Sequence, residues 1–221
     1  MAYSIIDISQ PVSSKSACFP GDTPFSRQVA LRLEDGATIN LTSFTMSPHV
    51  GTHADAPSHI CGKMEDEHGM ASDMPLIPYV GPVAVLDVSG SDAAIGKDAF
   101  EKAIGRIGKL PPRVVFKTMK EVHYDVWQKE YPHFTVQLVE AMKAHGVILA
   151  GLDSPSVDHV DSKNLEVHHA LIEAGFSWLE NLDLTNAEEG LYFLSAAPLR
   201  LTELEASPVR AVLIKNIEEA V

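Results

Sequence analysis

Eleven residues, His49-Val-Gly-Thr-His53-Ala-Asp55-Ala-Pro57-Ser-His59, hold three imidazoles and one carboxylate. Imidazole nitrogen and carboxylate oxygen are the donors that zinc, manganese and related divalent ions take. Pro48 and Pro57 bracket most of the run and Gly51 lies inside it, which rules out a regular helix. A single extended strand would put His49 and His59 roughly 30 Å apart. The segment must therefore curl if these groups act together, and Gly51 permits the curl. A lone histidine among the ten in this chain is ordinarily a satisfied polar side chain. Three at this spacing with an aspartate, on a Pro-bounded loop, read as a metal cradle.

A second cluster comprises His168, His169 and Glu180. Neighbours on a helix point about 100° apart, so the two imidazoles cannot share a face. Leu165, His168 and Ile172 share one, which should aim His168 at a sheet and leave His169 on the flank. Glu180 follows apolar residues at the end of an expected strand. If buried, its charge needs a partner such as a metal; the alternative is a surface carboxylate. Asp153 follows an apolar strand, where an acidic residue is functional or simply a turn former; we expect a supporting, structural role. Cys61, two residues after His59, is either a thiol ligand or a small buried or partly exposed side chain. Ser47 and Ser58 lie by the loop, but no nucleophile elbow, phosphate loop or dinucleotide fingerprint accompanies them.

These groups need elements to carry them. Ile5–Ile8 reads as a short strand, and Phe19-Pro-Gly-Asp-Thr-Pro24 as a loop. Residues 28–33 predict a half-buried strand that turns at Glu34-Asp35-Gly36 and pairs with 39–46, which runs into the histidine loop. Residues 62–75 predict a surface loop. Strands are expected at 80–88, 113–117, 147–152, 176–180, 191–196 and 209–214. Helical spacing runs from Ile95 to Ile107, through Val136 to Met142, and from Leu165 to Ala174, with Ser162 as the cap of the last. The second half alternates strand and helix, so the fold class is α/β, with a mixed sheet or barrel-like β layer flanked by helices.

The 221 residues fit one domain, 1–221, and the 45% hydrophobic content can build a core. A formal charge of −13 disfavours nucleic acid or an anionic membrane as partner. Two cysteines make no disulfide framework, and neither a signal peptide nor a membrane-spanning run is evident, so a cytoplasmic location is expected.

The histidine run matches the H-x-G-T/A-H-x-D-x-P-x-H motif and resembles the metal-dependent cyclase-like hydrolases, a family that includes bacterial kynurenine formamidase and isatin hydrolase. Asp7-Ile-Ser9, Phe19-Pro-Gly-Asp-Thr-Pro24, Leu152-Asp-Ser-Pro-Ser156, Ser162-Lys163 with His168-His169, Leu179-Glu-Asn181 and Ala206-Ser-Pro-Val-Arg-Ala-Val212 resemble the formamidase branch, in colinear order over nearly the whole chain. The resemblance implies a swivelling β/β/α fold and a homodimer or higher oligomer. It implies two divalent metals, zinc or manganese, held by His49, His53, Asp55, His168 and Glu180, with Asp55 and Glu180 bridging. It implies His59 as acid/base, an aromatic amide as substrate, and hydrolysis of N-formyl-L-kynurenine to L-kynurenine and formate by a hydroxide shared between the metals. Formamidases commonly carry Trp where this chain has Phe19, which keeps a ring for stacking but lacks the indole donor. A related hydrolase of cyclic amides such as isatin is the second enzymatic reading. A closed structural metal site is the third, although five ligands and a further histidine exceed its ordinary four. On this scheme His53→Ala loses metal and activity together; an active variant without metal would overturn it.

Overall fold

In the computed structural model, which describes residues 3–63 and 68–216, alternation of side chains along buried strands builds one seven-stranded sheet with a core on each face. In chain order the strands are β1 (Ser4–Asp7), β2 (Ser26–Leu31), β3 (Leu41–Thr45), β4 (His53–Asp55), β5 (Val80–Asp87) and β6 (Ala94–Ile95). After α1 (Lys97–Ile107) come β7 (Arg113–Lys117), β8 (His133–Phe134), α2 (Val136–Ala144), β9 (Leu149–Leu152) and α3 (Glu166–Ala174). The chain ends with β10 (Ser177–Leu179), β11 (Gly190–Ser195), β12 (Ala206–Pro208) and β13 (Val212–Lys215). The main sheet has the order β1-β13-β11-β5-β7-β9-β10. β5, β7, β9 and β10 run parallel, and β11, β13 and β1 add antiparallel partners.

Along β5, Ala84 and Leu86 face one core while Val83 and Val85 face the other; β7 divides the same way between Val114 and Phe116 on one side and Val115 on the other. The first core is closed by α1, α2 and α3 through Phe100, Leu138, Met142 and Leu171. The opposite core is covered by irregular chain and by the small β4–β12 pair. The mixed α/β layer expected from the alternating second half is thus observed.

Several elements differ from the sequence-based expectations, each for a physical reason. β2 and β3 do pair antiparallel, but neither is half-buried: every residue of β3 is exposed, and only Val29 of β2 is partly covered, because the hairpin stands off the sheet. Ile95 belongs to β6 rather than to the helix, since Gly96 is extended and the helix starts after it. The expected surface loop 62–75 includes residues 64–67, which lie outside the described residues. Its later part is not a surface loop: Met70, Ala71 and Met74 are buried, and the Ala71 and Ser72 amides donate to the Leu204 and Leu201 carbonyls. Strand β10 stops at Leu179, so Glu180 lies just beyond it, and the last strand starts at Val212 rather than Val209.

One turn decides where the histidine loop goes. Gly51 has φ +74°, a left-handed conformation that costs other residues strain, and a Cβ there would sit 2.6 Å from Val12 Cγ2. Gly51→Ala should therefore lower stability by about 1–3 kcal/mol, read as a shift in the urea midpoint. An unchanged midpoint would show that the turn tolerates a side chain.

Candidate metal centre

β4 presents His53 and Asp55 on one face, two residues apart, and puts Ala54 into the core on the other. The strand is held between two neighbours. β12 pairs with it antiparallel, Ala206 opposite Asp55, and on the other side His53 and Glu180 exchange backbone hydrogen bonds of 3.3 and 3.1 Å. Asn181, next to Glu180, takes a left-handed φ of 55°, which asparagine tolerates, and its carbonyl accepts from Thr52 Oγ1 at 2.5 Å. Strand pairing thus presses the two clusters seen in the sequence into one place, beyond the carboxyl ends of the parallel strands β9 and β10.

The Asp55 carboxylate is at the centre. Its Oδ1 lies 3.1 Å from His49 Nδ1 and 3.2 Å from His53 Nε2. Its Oδ2 accepts from Trp178 Nε1 at 3.2 Å and lies 3.6 Å from His168 Nε2. Glu180 faces the same point, with Oε2 3.3 Å from His53 Nε2 and Oε1 3.5 Å from His168 Nε2. His59 closes the ring, its centroid 4.4 Å from that of His49 and 5.8 Å from that of His168. All six predicted ligand and acid/base residues are brought together. Phe19 lines the cavity above them, His169 is exposed on the outer face of α3, and Cys61 is exposed.

Two of the imidazoles are also anchored from behind, and a third faces a carboxylate. His53 Nδ1 lies 2.9 Å from the Gly51 carbonyl, and His168 Nδ1 lies 2.6 Å from Asp158 Oδ2. His49 Nε2 faces Glu205 Oε1 at 3.4 Å. Asp158 and Glu205 were not anticipated. Asp158 also accepts from the Val167 and His168 amides, so it, not Ser162, caps α3. Ser162 Oγ instead accepts from the Leu165 amide. Glu205 arrives only through the pairing of β12 with β4, and nothing local in the sequence marks it. Asp153 has the supporting role expected of it: its carboxylate accepts from the Thr118 amide and hydroxyl and the Met119 amide, tying the ends of β7 and β9 together. Burial, only partly offset by those donors, pushes its pKa up to about 6.

The donor set fits divalent metal. His53 Nε2 and Asp55 Oδ1 are buried and make no hydrogen bond among the described residues, close as they are to other donors and acceptors. Leaving such atoms unpaired is costly, and a cation between them would satisfy both. His49, Asp55 and His59 offer ligand atoms within 4.8 Å of one another, and so do His53, Asp55 and Glu180. Asp55 belongs to both groups, as a bridging carboxylate would.

The charges follow from this crowding. Burial pushes the Asp55 carboxyl up, but His53, His168 and His49 outweigh it and hold the group well below the ordinary carboxylate range. Burial pulls the three imidazoles down, yet facing carboxylates win: His49 rises to about 9 through Asp55 and Glu205, and His53 to about 10 through Asp55 and Glu180. His168 also rises to about 10, chiefly through Asp158. His59 differs. Burial dominates there and lowers its pKa, leaving a neutral ring at pH 7.

Above the centre lies a cavity of about 660 Å³. Its aromatic wall is Phe19, Trp127 and Tyr131, with ring centroids 4.9 Å apart between the first two and 6.2 Å between the last two. Trp127 and Tyr131 come from the connection between β7 and β8, which has no helix or strand of its own and no periodicity to flag it.

Comparison with known proteins gives a consistent picture. The family model Cyclase, described as "Putative cyclase", matches residues 6–159. The chain is 40% identical over 209 residues to the kynurenine formamidase of Bordetella pertussis, covering 94% of this chain and 96% of that one. It is 38% identical over 208 residues to the kynurenine formamidase of Paracidovorax citrulli, covering 94% of each. The fold is similar to that of isatin hydrolase A from Labrenzia aggregata bound to benzyl benzoate, with a TM-score of 0.81 at 20% identity over 97% of this chain and 94% of that one.

The raised imidazole values have a direct consequence. In the metal-free protein, stability from the imidazolium–carboxylate pairs is fully present below the ordinary histidine value of 6.5 and is lost as pH climbs through 9 to 10. A divalent metal bound through these rings would displace their protons, so its uptake near pH 7 should release protons and its affinity should rise with pH. Calorimetry in buffers of different ionisation enthalpy reads the release directly. Uptake with no proton released would mean that the rings are neutral beforehand.

Proposed function

The chain belongs to the cyclase family, and from that premise we propose that it is a metal-dependent arylformamidase, hydrolysing N-formyl-L-kynurenine to L-kynurenine and formate. The observation that carries the reading is the juxtaposition of a buried His/Asp/Glu centre with an aromatic-walled cavity opening onto it. The cavity falls in the size range of small-molecule sites. We take residues 1–221 as one hydrolase domain.

His49, His53, Asp55, His168 and Glu180 would hold two divalent metals, zinc by the mixed nitrogen and oxygen donors, or manganese. The metals, when bound, would supply Lewis acidity toward the scissile carbonyl and toward water. The chain's own residues do the rest. Asp158 and the Gly51 carbonyl fix the His168 and His53 rings from behind, and Glu205 faces the outer nitrogen of His49 at 3.4 Å. Phe19 and Trp127 give the aryl group faces to pack on, which orients the formamide over the centre. His59 is neutral because it is buried, so it can take a proton from the attacking water. It then delivers that proton to the arylamine nitrogen as the C–N bond breaks.

Other features support the finer parts of the reading. Leu31, Leu41 and Phe44 of the β2–β3 hairpin are exposed, Phe44 by 65%, and would be covered in a homodimer or higher oligomer. Cys18 and Cys61 are both free, in keeping with a reducing cytoplasm. Among the described residues, no helix is long and apolar enough to cross a membrane.

The test is hydrolysis of N-formyl-L-kynurenine by purified protein, with chelator and with zinc or manganese restored. Chelator-sensitive turnover is expected. Inactivity of metal-loaded protein would reject this substrate, and activity on isatin instead would favour the cyclic-amide reading. His59→Ala should lower turnover by about 10² or more with metal content unchanged. Loss of metal in that variant would make His59 a ligand instead.

A further inference from the structure

Tyr131 is 5% exposed, and its hydroxyl oxygen is buried without a hydrogen-bond partner among the described residues. Ser156 stands close enough to pull the phenol's pKa down slightly against burial, but it does not complete a hydrogen bond of good geometry with the hydroxyl. A buried phenol ordinarily finds an acceptor, and leaving one unpaired costs stability. Tyr131 lines the cavity over the centre, and its ring continues the wall made by Phe19 and Trp127. Burial and then the charge of Glu180 push its pKa up, so the phenol keeps its proton across the working range. An unmet donor in an aromatic wall suits a ligand that combines an aryl ring with a carbonyl beside it.

We infer that the Tyr131 hydroxyl donates a hydrogen bond to a carbonyl oxygen of the bound aryl substrate, which makes Tyr131 a specificity-determining residue. The inference rests on the arylformamidase reading and adds to it. Phe19 offers only a ring face, with no donor of its own. Tyr131 gives the same wall a polar handle, and the free hydroxyl is held ready by packing rather than by a competing bond inside the protein. Removing it leaves a substrate carbonyl desolvated and unpaired, while removing nothing that the empty protein uses.

The test is Tyr131→Phe, compared with wild type on N-formyl-L-kynurenine and on formanilide, which lacks the ketone, with the melting temperature of each protein. Expected are a fall in kcat/KM of about tenfold or more on N-formyl-L-kynurenine and a melting temperature equal to or above that of wild type. An equal fall on formanilide puts the bond at the formyl oxygen; no fall there puts it at the ketone. Unchanged kcat/KM on N-formyl-L-kynurenine overturns the inference and leaves the arylformamidase reading intact. A lowered melting temperature also overturns it, because the hydroxyl would then be serving the fold. Wild-type inactivity on both substrates removes the reading and the inference together.

Discussion

The molecule is arranged around the cost of burying two carboxylates side by side. Asp55 and Glu180 are almost wholly removed from water and face the same imidazoles. Unpaired buried charge is among the most destabilising features a protein can carry, so every element nearby serves to offset it. His53, His168 and His49 do so in the metal-free protein, as imidazolium partners that a metal would replace. The backbone bridge between His53 and Glu180 then fixes the distance across the site. Without that bridge the two clusters of candidate ligands would belong to separate surfaces.

The two faces of the sheet have divided the work. One is closed by helices and holds the larger aromatic core, which gives β7, β9 and β10 a rigid base. The other carries β4, β12 and irregular chain, where the chemistry sits. Asp153 links the ends of β7 and β9, and Trp178 reaches from the helical side to donate to Asp55. The centre is thus braced against the rigid layer but open to the cavity. Two of the three rings in the aromatic wall, Trp127 and Tyr131, come from a connection that holds none of the predicted ligands, whereas the floor of the cavity is formed by His49, His59, His168 and Glu180 themselves.

What could be read in the sequence was whatever depended on local periodicity and turn chemistry. Gly51 marks the turn that curls the histidine loop, whereas the short strand β4 that puts His53 and Asp55 on one face inside that loop was not legible. His168 on the apolar face of α3 and His169 off it follow from helical geometry. What could not be read was set by distant pairing or by absence. Glu205 reaches His49 only because β12 runs beside β4. Asp158 caps α3 from across a turn, where Ser162 has the more familiar signature. The hairpin alternates like a half-buried strand, yet alternation cannot reveal that nothing among the described residues covers it. Trp127 and Tyr131 lie in a stretch with no pattern at all.

Trp178 and Asp55 meet across 123 residues of chain. During synthesis the histidine loop therefore emerges from the ribosome long before its partners do. A nascent chain ending before α3 holds His49, His53 and Asp55 but neither of the groups that complete the cage. Any metal it met would sit on an incomplete, solvent-exposed set of donors. Because, among the described residues, β4 pairs with β12 and with the residue after β10, the loop has no settled position until the C-terminal strands are out. If the loop holds metal as proposed, capture of the ion waits for completion of the chain.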